Sequence, residues 1–137
     1  MVQLFIDDGL LFCLQQIANA AGAGMYWRLY TSNTTPAKSD TLATYTLAAT
    51  GWGRIQVALA SFTLQQVAAD IGSIQASNIV FTNTTGGSIT VYGYVIYEPT
   101  GSKLVAAARF DAAPVVVPNG GTVVVTPALG DADESTL

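Results

Sequence analysis

Residues 88–98 read Ser-Ile-Thr-Val-Tyr-Gly-Tyr-Val-Ile-Tyr-Glu, and no other stretch constrains the fold as much. As a strand with alternating side chains, the run puts Tyr92, Tyr94 and Ile96 on one face and Val91, Gly93, Val95 and Tyr97 on the other. Both faces are apolar, so the strand needs cover on both sides and belongs inside a layered β structure. Gly93, set between two tyrosines, leaves room for a neighbouring backbone or ring to approach.

The surrounding segments repeat this pattern in shorter pieces. Met25 to Thr31 places Tyr26, Arg28 and Tyr30 on one face and Trp27 and Leu29 on the other. Residues 32–39 form a loop, since Pro36 does not fit a central strand. Thr41 to Leu47 alternates again. Gly51-Trp52-Gly53 marks a kink or bulge leading into a strand over Arg54 to Leu59. Phe62 to Asp70 fits either a strand or one helical turn, and a strand follows over Ile74 to Thr82. Turns at Thr84–Gly87 and Pro99–Gly101 flank the long run, and the second leads into a strand over Lys103 to Phe110. A last hairpin pairs Pro114–Val117 with Thr122–Thr126 around Pro118-Asn119-Gly120-Gly121. About eight short strands at regular spacing predict a mainly β chain, an antiparallel β-sandwich or jelly-roll-like domain.

One segment departs from the β pattern. Leu10, Leu14, Ile17 and Ala21 recur at helical spacing, with Leu11 and Ala18 beside them. Asp7 or Asp8 suits the helix N-terminus, and Ala21-Gly22-Ala23-Gly24 stops it. The expected organisation is an N-terminal helical arm over 1–23, a β-sandwich domain over 24–128 and a flexible acidic tail over 129–137.

Composition decides what such a domain has to do with its surface. Half of the 137 residues are hydrophobic and only 10% are charged, against roughly 25% charged in ordinary soluble domains. A chain this short has too little interior for all of that apolar material, so some of it faces outward and calls for burial by oligomerisation. The alternative is a neutral coat of Thr, Ser, Asn and Gln. Arg28, Lys38, Arg54, Lys103 and Arg109 are scattered through a chain of net charge −4, which does not suit nucleic acid. The longest dense apolar run, Leu10 to Leu14, is too short for a membrane helix. Asp7 and Asp8 stand where a secretory signal would be basic, so synthesis and folding in the cytoplasm are expected. The single Cys13, within the apolar helical pattern, reads as a core thiol.

Residues suited to catalysis are sparse. With no histidine and one cysteine, imidazole bases, His-based triads and thiolate zinc sites are excluded. Gly22 and Gly24 lack the third glycine of a dinucleotide loop. Asp40, Asp70, Glu98 and Asp111 fall at strand ends or turns, and neither Asp7–Asp8 nor Asp131–Asp133 has the calcium-loop pattern. No catalytic, cofactor-binding or metal-binding residue is therefore assigned, and the chain is read as a non-enzyme. Asn33-Thr34-Thr35 and Asn83-Thr84-Thr85 match the glycosylation triplet but read as turn chemistry. Trp27, Trp52, Tyr92, Tyr94 and Tyr97 fit a core, a protein interface or a sugar-binding platform.

Two segments carry a resemblance. Trp27-Arg28-Leu29-Tyr30-Thr31-Ser32-Asn33-Thr34-Thr35-Pro36 is followed by Tyr45 and Thr50-Gly51-Trp52. Val91-Tyr92-Gly93-Tyr94-Val95-Ile96 is followed by Ala108-Arg109-Phe110 and the Val123 to Pro127 ending. Together they resemble small virion proteins of tailed bacteriophages, and among these the capsid decoration, or cement, proteins. The resemblance implies a β-sandwich homotrimer on the virion capsid surface, assembled in the host cytoplasm, bridging major capsid protein subunits. It implies no cofactor and no contact with nucleic acid or membrane. On that reading Trp27, Tyr92 and Tyr94 are candidates for the oligomer interface. Leu10, Leu14 and Ile17 of the helix, with Asn33, Pro36 and Lys38 of the loop, are candidates for the capsid contact. The alternatives are a phage tail-tip, fibre or connector component, and a jelly-roll carbohydrate-binding module.

Overall fold

The computed structural model describes residues 24–58, 63–68, 71–75, 77–98, 103–126 and 128–130. The expected helix, with Cys13 and the candidate contacts Leu10, Leu14 and Ile17, lies outside the described residues.

The chain is mainly β. In order come β1 (Met25–Tyr30), a 3-10 turn (Leu42–Thr44), α1 (Thr50–Gly53), β2 (Arg54–Val57), β3 (Thr63–Ala68), β4 (Ile71–Gln75) and β5 (Ile79–Thr82). Then follow β6 (Ile89–Val91), β7 (Gly93–Tyr97), β8 (Leu104–Arg109), β9 (Val115–Val117), β10 (Thr122–Val125) and β11 (Ala128–Gly130). A four-stranded sheet has the order β2-β1-β7-β8, a three-stranded sheet the order β11-β4-β3, and β5–β10 and β6–β9 form two pairs. All of these pairings are antiparallel.

The register explains which side chains share a face. Trp27 stands between Ile55 and Ile96, and Arg28 between Arg54 and Val95. Directly opposed residues point the same way and successive residues point oppositely. The inner face of the large sheet therefore carries Met25, Trp27, Leu29, Ile55, Val57 and Ile96, which pack with Phe81, Val91, Val117, Val123 and Val125 from the two strand pairs. Trp27 is completely enclosed there. The outer face carries a second cluster built on Tyr30, Tyr45, Val95 and Tyr97, with Tyr26 and Tyr92 beside it.

The long run does have both faces covered, but as two strands. Up to Val91 it pairs with β9, and from Gly93 onward it runs between β1 and β8. The break is at Tyr92, whose amide donates to the Tyr30 carbonyl while its own carbonyl accepts from Phe110. Strict alternation fails there: Tyr92 joins the outer cluster, whereas Tyr94 and Ile96, expected on the same face as Tyr92, pack in the inner one with Val91. Gly93 is required for the close approach that its position suggests. A β-carbon there would overlap the Ala108 carbonyl oxygen and come within 2.7 Å of the Tyr30 hydroxyl.

Other local expectations are corrected. The Pro118–Gly121 turn forms, with the Gly121 amide donating to Pro118, yet its flanking strands do not pair. β9 joins β6 and β10 joins β5, because Val117 and Val123 meet in the shared core. Thr41 to Leu47 is a 3-10 turn and a single bridge from Leu47 to Tyr30. Gly51-Trp52-Gly53 is part of one helical turn. Of the two readings open for residues 62–70 the strand is the one found, as β3, while 74–82 divide between β4 and β5. Leu129 and Gly130 belong to β11, hydrogen-bonded to β4, so an unpaired tail does not begin at 129. Residues 131–137 lie outside the described residues.

Candidate functional site

Residues 31–47 leave β1 and return across the outer face of the large sheet. The loop is tied at its base by the Thr31 amide to Thr46 (2.7 Å) and the Ala48 amide to Leu29 (2.8 Å). Farther out, the Tyr30 hydroxyl donates to the Thr34 carbonyl at 3.1 Å. Arg109, at the end of β8, donates to the same carbonyl at 3.1 Å and to Asn33 Oδ1 at 2.8 Å. Its guanidinium lies 5.3 Å from the centre of the Tyr92 ring, so cation–π attraction holds it in place.

The far part of the loop makes one wall of a groove. Pro36, Lys38, Asp40 and Tyr45 face β8 from Leu104 to Ala107 across about 470 Å³. β8 is an outer strand of its sheet, so alternate residues direct their N–H and C=O groups away from β7. Asp40 sets the loop's shape by accepting from the Tyr45 hydroxyl at 2.6 Å and from the Ala37 amide at 2.8 Å. The Tyr45 and Ala37 donors hold the Asp40 carboxyl below its ordinary range. Burial, reinforced by the Asp40 carboxylate, pushes the Tyr45 phenol well above its ordinary value. Each group thus stabilises the other in the form that locks the loop, the carboxylate charged and the phenol neutral.

A second surface lies on the strands that cover the inner face. Val80 and Val124 are directly opposed across β5–β10 and are 50% and 55% exposed, and Val116 on β9 is 62% exposed. Thr82 and Thr122 form the next pair, and on the other side Thr126 donates to Asn78 at 2.6 Å. The outward face of β5–β10 is thus valine, threonine and asparagine without a charge. Asn83 joins the two strand pairs into one layer. Its buried amide donates to the carbonyls of Gly87 (2.7 Å) and Val117 (2.8 Å) and accepts from the Thr85 amide and hydroxyl. This is the turn chemistry expected of Asn83-Thr84-Thr85, and an Asn side chain so enclosed offers nothing to a glycosylating enzyme.

The residues singled out in the sequence are scattered over these features. Trp27 is wholly inside the chain's own core, which removes it as an oligomer contact. Tyr92 is half-buried under Arg109. Tyr94 is half-buried on the inner side, 6.1 Å from the Phe110 ring, and burial raises its phenol pKa. Trp27, Tyr92 and Tyr94 therefore do not form one patch. Asn33, Pro36 and Lys38 lie on the loop, Pro36 and Lys38 in the groove wall and Asn33 under Arg109. Trp52 is buried as well, so neither tryptophan provides the exposed platform that a sugar-binding module needs. Val80, Val116 and Val124 were not singled out. A signal existed, because a run of three valines in a strand, as at 115–117 and 123–125, must turn its middle residue away from the face taken by its neighbours.

Among the described residues, no group of three acidic or cysteine side chains is placed to hold a metal ion, and no helix is long and apolar enough to cross a membrane. Comparison with protein families, curated proteins and solved structures finds no match, so the residues themselves carry the functional reading.

Proposed function

We propose that this chain is a structural assembly subunit that joins protein surfaces, and more narrowly a capsid decoration protein that binds the outside of a phage head as a homotrimer. The observation that carries the reading is the exposure of Val80 and Val124 on the uncharged face of β5–β10 and of Val116 on β9. Exposed apolar side chains grouped on a rigid sheet are what a protein contact buries. A closed ring of three joins unlike patches of neighbouring copies, and the Val80–Val124 pair and Val116 lie on separate strand pairs that offer two such patches. The large sheet packed on β5–β10 and β6–β9 supports a two-layer sandwich of the jelly-roll kind. In this reading the 32–38 loop, with Asn33, Pro36 and Lys38, meets the major capsid protein. Three copies of a weak contact then act together through high effective concentration. The phage assignment draws its support from the resemblance of the Trp27–Pro36 and Val91–Ile96 segments.

Sedimentation at micromolar concentration tests the assembly. The expected result is a trimer in the parent chain, a weaker one in Val80→Thr/Val124→Thr, and monomers in Val124→Asp with an unchanged circular dichroism spectrum. A parent chain that stays monomeric removes the proposal. Electron microscopy of particles carrying labelled chain tests the location. Label over the whole head supports decoration, and label at one pole overturns it in favour of a tail component.

A further inference from the structure

The outer face of the large sheet carries two arginines where a sheet would ordinarily avoid them. Arg28 and Arg54 are directly opposed across β1–β2, and like charges in that position repel. The Arg28 Nε donates to the Ala48 carbonyl at 2.7 Å, which orients its guanidinium. The Arg54 guanidinium lies 4.5 Å from the centre of the Tyr26 ring, and Tyr26 in turn leans on Tyr97 at 5.4 Å. Neither arginine has a carboxylate partner among the described residues. Two oriented, half-buried guanidiniums beside tyrosine rings, with no counter-charge among the described residues, suit the binding of carboxylates.

The distribution of charge along the chain points to the occupant. All five basic residues fall between 24 and 130, together with four of the nine acids; the other five, Asp7, Asp8, Asp131, Asp133 and Glu134, flank that span. The β region is thus slightly positive and its flanks are strongly negative. The segment Asp131-Ala132-Asp133-Glu134 directly follows β11. In an extended chain its two aspartates would fall on one side, roughly 7 Å apart, a spacing that suits two guanidiniums on neighbouring strands. β11 runs from Ala128, opposite Gln75, to Gly130, opposite Ser73, while the chain continues from Gln75 into β5. β11 therefore leads away from the β5–β10 pair.

We propose that the Arg28–Arg54 pair is a carboxylate-binding site, and that its ligand is the acidic segment Asp131–Glu134 of a second copy of this chain. The site lies on the opposite sheet from the exposed valines and does not depend on them. It would give assembly a directional, salt-sensitive contact in addition to the apolar one.

The test uses full-length chain in two forms. The acceptor is isotope-labelled Asp131→Asn/Asp133→Asn/Glu134→Gln, which has no acidic segment of its own. The donor is the unlabelled parent chain. At low ionic strength, adding donor is expected to shift the Arg28 and Arg54 Nε resonances of the acceptor, and the shifts should disappear at 0.5 M salt, where screening is strong (about the 0.1–1 M range of Debye lengths). Acceptor carrying Arg54→Gln should bind the donor roughly tenfold more weakly, the loss of one charge-assisted hydrogen bond. A donor with the same three acids neutralised should have no effect. The proposal is overturned if the parent donor leaves the arginine resonances unmoved, if the neutralised donor moves them equally, or if the parent chain shows the shifts only within its own molecule, independent of concentration. Because the readout is local to the arginines, failure here leaves the sedimentation result for the valine face standing.

Discussion

Replacing Asn83 with alanine should cost more stability than any other single polar substitution among the described residues. The side chain is fully enclosed. It supplies both donors for the Gly87 and Val117 carbonyls and accepts twice from Thr85. Gly87 keeps a second donor, the Thr85 hydroxyl at 3.1 Å, and the exposed Thr85 can turn to water. The Val117 carbonyl sits in the core and cannot turn to water in this way. An orphaned buried acceptor costs about 1–3 kcal/mol, and the three further bonds, whose partners keep a second donor or turn to water, cost about 0.5 kcal/mol each at the low end of the usual range, so the sum centres on about 3–4 kcal/mol. In a domain of this size that lowers the Tm by about 12–16 °C. Thr85→Ala, which removes only the exposed end of the network, should cost about 1 kcal/mol. Urea unfolding followed by tryptophan fluorescence measures both, since Trp27 and Trp52 are buried. If Asn83→Ala loses less than Thr85→Ala, the two strand pairs are not held together through this amide and the argument is wrong.

Three more outcomes follow from the geometry. Gly93→Ala forces a β-carbon onto the Ala108 carbonyl and the Tyr30 ring, and should cost about 2–4 kcal/mol in urea unfolding; a neutral result would mean that β7 and β8 can move apart. Arg109→Met removes the two donors that fasten Thr34 and Asn33; hydrogen exchange in the 32–38 loop should rise roughly tenfold while that of β1 stays the same. The Asp40 carboxyl, held below its ordinary 3.8 by Tyr45 and Ala37, stabilises the loop fully above that value and loses the effect as pH falls through its lower folded value, because the folded form binds fewer protons in between. Carboxyl NMR should show the depressed midpoint, and Tyr45→Phe should move it upward; an unmoved midpoint removes Tyr45 as the cause.

The β character, the opposite facing of Trp27 and Tyr30 in β1, and the tight surroundings of Gly93 follow from alternation and side-chain size, which act within a few residues. These were legible in the sequence, and so was the excess of apolar surface, because it follows from composition and chain length alone. Partner choice between strands was not. Pro118–Gly121 has the residues of a hairpin turn, yet β9 and β10 separate because Val117 and Val123 gain more from the common core beneath β1 and β7 than from each other. Nor did adjacency in sequence reveal that Arg28 stands opposite Arg54, or that Asn83 reaches Val117. A turn is settled by local backbone preferences, whereas pairing is a competition among distant strands for the same buried volume, and only the folded chain decides it.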